Sequence, residues 1–147
     1  MKVCKVGPTV SQAAKWITGI VLAHLLVNIA HGRAHREMSV GLPPSGSVFV
    51  VVVVLIFPLI AMALVWTVHK RIGLILLSLS MFGSFLFGLY HHFLAVGPDY
   101  VHSQLASTWG IMFVSTAYLL LITEATGTYI GVHFLRKAKE RSEGLKR

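Results

Sequence analysis

Four apolar runs, each about as long as a bilayer-crossing helix, constrain this chain more than any other feature of it. A helix needs about 20 mainly apolar residues, at 1.5 Å rise each, to cross the hydrocarbon core of a membrane. Such runs extend from about Trp16 to Ala34, Val48 to Val68, Ile72 to Leu94 and Ala106 to Phe134. They predict an all-α, integral membrane four-helix bundle. A tail over 1–15 precedes a single transmembrane domain over 16–134, and a basic tail over 135–147 follows it. Only 12% of residues are charged, where a soluble chain carries roughly a quarter, and the mean hydropathy is +0.74. A disordered chain and a collagen are excluded. A nucleic-acid-binding module is excluded too, despite a net charge of +8.

The basic residues report topology instead. With four spans, both termini and the second loop lie on one side, which holds Lys2, Lys5, Lys15, Lys70, Arg71, Arg136, Lys137, Lys139, Arg141, Lys146 and Arg147. The other side holds only Arg33 and Arg36. The positive-inside rule then makes both termini cytoplasmic, with a bacterial plasma membrane as the expected location. Trp16 and Trp66 fall at the inner edge, and Tyr90, Tyr100 and Trp109 at the outer edge, where aromatic belts form. Lys2, Lys5 and Lys15 precede the first run as they would in a signal peptide. No small-x-small cleavage site follows, however, so an uncleaved helix is expected. Loops of about 13, 3 and 11 residues make successive helices antiparallel neighbours. Gly41–Gly46, with two prolines, reads as a stiff turn, and Pro58 as a kink in the second helix.

Polar residues within the runs are few and patterned. His24, Asn28, His31 and His35 follow i, i+4, i+7, i+11, one continuous helical face. Such a face points at protein or water, never at lipid tails. Glu124 is the one carboxylate within a span, at a depth similar to that of His24, so the two form a natural pair. They could hydrogen-bond helices together, relay a proton or bind a ligand head. Ser80, Ser84 and Gly88 on the third helix, and Gly127 and Gly131 on the fourth, make small-residue stripes suited to close helix approach, either in bundle closure or in oligomerisation.

Topology gathers five histidines at the outer face: His31, His35, His91, His92 and His102. His31 and His35, at i, i+4, stack about 6 Å apart and can share one metal ion. His91 and His92 lie about 100° apart on their helix, so both need not face one centre. Asp99 is placed to orient His102. Imidazole donors suit a Cu, Zn or Fe ion. They also suit a b-type haem held between His31 or His35 and His91 or His92, with Arg33 and Arg36 near its propionates. The single Cys4 excludes a cysteine zinc site and an intrachain disulfide. No nucleotide loop, nucleophile elbow or His-Glu-x-x-His helix occurs, which argues against an independent enzyme. Three functions stay open: a haem or metal protein in a redox or metal-handling role, an accessory subunit of a larger membrane complex, and a small homo-oligomeric proton-coupled transporter using Glu124 and His24.

Overall fold

The computed structural model describes residues 10–104 and 107–144. Among them four helices are long and apolar enough to cross a membrane. They are α1 (Val10–Glu37), α2 (Pro44–Val65), α3 (Lys70–Leu94) and α4 (Thr108–Gly144). No strand occurs among the described residues. The helices run up and down in ring order: α1 packs on α2 and α4, and α3 packs on α2 and α4. At 1.5 Å per residue α4 is about 55 Å long, well beyond a bilayer core of about 30 Å. Its basic last turns therefore project past the bundle.

Three local departures from a regular α-helix shape one end of the bundle, the end away from the termini. The first is the stop of α1. Ser39 sits in the left-handed region at φ 54°. Val40 N–H donates to His35 O at 3.0 Å and Ser39 N–H to Arg36 O at 3.1 Å. This is a Schellman cap, and it turns the chain back over His35. The second lies in α2. Pro58 has no N–H for the carbonyl of Val54, four residues back, and the preceding Val50–Ile56 widens into a π-helix. The third is the end of α3, where Tyr90–Leu94 forms another π-turn closed by Ala95 N–H to Tyr90 O at 2.8 Å. The structure also shortens the turn expected over Gly41–Gly46. Pro44 opens α2, because a proline fits the first helical turn, where its missing N–H has no partner to lose.

Packing divides into two clusters. Ile17, Val21, Leu77 and Met81 interlock nearer the termini, and Ala34, Val101, Phe113 and Ala117 at the opposite end. In lipid such contacts gain from close fit more than from removal of water. A side chain at Gly131 would collide with Ser78, and one at Gly127 would press on Met81 at 3.0 Å. The small stripe of α4 thus closes the α3–α4 seam within the chain. Between α1 and α2 the main contact runs along Phe57–Val65. Toward the other end the two helices diverge, and the bundle is hollow there.

Candidate metal centre

Each of three histidines reaches the hollow end by its own local device, and each is held through the same ring nitrogen. His31 and His35 stand one turn apart on α1. The cap that ends α1 brings Val40 O within 3.0 Å of His35 Nδ1. The π-turn of α3 swings His92 inward, and Asp99 O in the following loop lies 3.1 Å from its Nδ1. His31 Nδ1 lies 2.8 Å from Thr116 Oγ1 on α4. The three Nε2 atoms converge: His31 Nε2 is 3.2 Å from that of His92 and 3.2 Å from that of His35.

These partners set one consistent arrangement of the protons. Val40 O and Asp99 O are carbonyl oxygens, which only accept, so His35 and His92 donate from Nδ1–H. The Thr116 hydroxyl already gives its hydrogen to Met112 O at 2.7 Å or Phe113 O at 3.0 Å. It can then accept from His31 Nδ1–H, the tautomer that leaves Nε2 free. With every Nδ1 protonated, a neutral imidazole carries its lone pair on Nε2. Three lone pairs then meet in a buried space, and a cation is what completes such a set. Zinc–imidazole bonds of 2.0–2.1 Å in a tetrahedron put the nitrogens about 3.3 Å apart, close to the two 3.2 Å edges seen. An oxygen behind each ligating ring is the usual support of a histidine metal site.

The surroundings are largely buried and hold a carboxylate. His31 is 6% and His92 7% exposed, and Phe113, fully buried, stacks on the His31 ring at 4.8 Å. Asp99 is buried with Oδ1 lacking any hydrogen bond, 3.7 Å from His35 Nδ1. It supplies a carboxylate beside the cluster. On the opposite side the triad borders a cavity of about 310 Å³ between all four helices, with Val50, Val54, Phe87 and Leu120 in its walls. Three protein ligands with a void beside them leave room for a fourth, exchangeable ligand.

Glu124 lies in the same cavity lining. Its Oε1 is 3.4 Å from His24 Nε2, and Asn28 Nδ2–H donates to His24 O at 2.9 Å while lying 3.0 Å from the same Nε2. Glu124 is 3% exposed and its Oε2 has no hydrogen-bond partner. A methyl group at Gly88 would lie 3.8 Å from that oxygen and 3.9 Å from the His92 ring. The carboxyl and the triad thus face one space across a single glycine.

Not every histidine of the expected cluster joins it. His31, His35 and His92 come together. His91 instead lies against Phe87 at 4.3 Å and Tyr90 at 5.2 Å, while His102 is exposed beside Tyr100. Asp99 does not orient His102; its loop turns it and its carbonyl toward His35 and His92. Arg33 pairs with Glu37 at 2.7 Å and sits over Trp109, so it points along the surface rather than at the cluster. Arg36 is exposed. Thr116, Val40 and Phe113 were not among the expected site residues.

The chain matches no known protein family and has no significant counterpart among curated proteins or solved structures. The site stands on its own chemistry.

Proposed function

We propose that this is a small integral membrane protein that binds a zinc or copper ion through Nε2 of His31, His35 and His92, with one ligand position open to the cavity. One observation carries the reading: an oxygen stands at each Nδ1, which turns the three Nε2 atoms toward one another, His31 Nε2 at 3.2 Å from each of the other two. A bare ion fits better than a haem. Two imidazoles ligating one haem iron from opposite faces stand about 4 Å apart with the macrocycle between them, and the 3.2 Å between His31 and His92 leaves no slot for it there. When bound, the ion supplies a Lewis-acid position in a dry site. Asp99 offsets part of its charge, and Thr116, Val40 and the Asp99 carbonyl keep the rings aimed.

The engagement of Gly127 and Gly131 inside the bundle supports a site that works within one chain rather than a stripe kept for assembly. Eleven basic residues against two support cytoplasmic termini, which sets the triad near the outer face. Elemental mass spectrometry of the detergent-purified protein tests the reading. Near-stoichiometric metal is expected in the wild type and in a His91→Ala/His102→Ala variant, and none in His31→Ala/His92→Ala. A folded wild type that takes up no metal even after reconstitution would overturn it.

A further inference from the structure

We propose that the cavity between the triad and Glu124 binds a lipid-soluble phenol or quinol, which enters from the bilayer between α1 and α2. The inference deepens the metal reading and rests on it only for the partner of the ligand's second oxygen. Three observations carry it. Glu124 Oε2 is buried at mid-helix, lines the cavity and has no hydrogen-bond partner. A buried polar atom of that kind calls for one, and a ring hydroxyl supplies it. The cavity walls are mainly valine, leucine and phenylalanine, with Ser84 and Gly88 among them. A cavity of about 150 Å³ admits benzene, so about 310 Å³ has room for a substituted ring.

The entrance follows from the same lining. Gly32 on α1 and Val51 on α2 both border the cavity and are both exposed. They lie where the two helices diverge, so the mouth opens sideways, toward lipid in a membrane. A Cβ at Gly32 would meet nothing within 4 Å. A ring would enter here, with an alkyl tail left in the bilayer. Inside, its hydroxyl meets Glu124 and an oxygen on its far side faces the triad.

Calorimetric titration of the zinc-loaded, full-length protein in detergent, under argon, with tetramethylhydroquinone tests this. The dimethyl ether of the same ring, which cannot donate, and 1-decanol, a hydroxyl without a ring, are the comparison ligands. Binding of the diol is expected to exceed that of either by at least tenfold, the scale of a hydrogen bond to a buried carboxyl group. Glu124→Gln should weaken the diol by a similar factor. Gly32→Phe, whose Cβ has open space around it, should block entry while zinc content stays intact. Equal binding of diol and ether would overturn the proposal. So would decanol binding as well as the diol, or a diol affinity unchanged in both variants. Zinc content is read on the same samples. A zinc-loaded protein that ignores the diol contradicts this inference alone; a protein that binds the diol but never zinc contradicts the triad reading alone.

Discussion

Replacing Thr116 by valine removes one oxygen from the site and almost nothing else. Valine keeps the shape of threonine, and the hydroxyl serves its own helix and His31. Without metal, His31 has a way out. Its proton can move to Nε2 and be donated to His35 or His92 Nε2, each 3.2 Å away. The metal-free protein should lose no more than about 1 kcal/mol, the net worth of one hydrogen bond. With metal bound, Nε2 is occupied and Nδ1–H is left buried without an acceptor, at a cost of about 1–3 kcal/mol. That range agrees with the 10- to 100-fold loss of affinity typical when the partner of a ligating histidine is removed. Competitive titration against a chromophoric chelator measures it directly. Thermal unfolding gives a second readout: metal at 100 times Kd stabilises by about 2.7 kcal/mol, and after a hundredfold loss of affinity by only about 0.4 kcal/mol. A Thr116→Val protein that binds metal like the wild type would refute the proton assignment, and with it the argument that three lone pairs converge.

Further outcomes follow from other parts of the structure. Metal affinity should fall on acidification, because a protonated ring has no lone pair to give. Up to three protons then compete with one ion, so the fall should be steep once it begins, and metal retained in acid until the protein unfolds would contradict histidine ligation. Gly131→Leu, forced against Ser78 at the α3–α4 seam, should destabilise by about 1–3 kcal/mol in thermal unfolding. Gly19→Leu, with open space around it, should be near neutral. If the two behave alike, the seam is not where the structure puts it. Cys4, the single cysteine, should react with a membrane-impermeant maleimide only after cells are permeabilised. Labelling of intact cells would reverse the orientation read from the basic residues.

The sequence and the structure agree where a single periodicity decides the matter. The four apolar runs became four helices, and His24, Asn28, His31 and His35 share a face because seven residues make almost two whole turns. The contact of His24 with Glu124 was legible from depth alone. Thr116 could have followed from it. Once Glu124 stands opposite His24 on an antiparallel helix, the residue opposite His31 lies about two turns back along α4, near Thr116. Choosing His92 over His91 was beyond such reasoning. The two are adjacent on α3, and the π-turn at Tyr90–Leu94 that aims His92 inward leaves no mark in the local sequence. Asp99 was expected to serve His102, two elements nearer in sequence space than His35, but the fold of the loop sets its reach. The cavity was equally hidden, since it depends on α1 and α2 parting company beyond Phe57–Val65, a tertiary event that Pro58 hints at without determining.

X-ray absorption at the edge of the bound metal tests the central claim most directly. The account predicts a low-coordinate ion with three imidazole nitrogens at about 2.0 Å, and the outer-shell scattering of three ordered rings. That signal should vanish in His31→Ala/His92→Ala and survive in His91→Ala/His102→Ala. A bound metal whose spectrum shows one imidazole or none, or one that is unchanged in His31→Ala/His92→Ala, would contradict it.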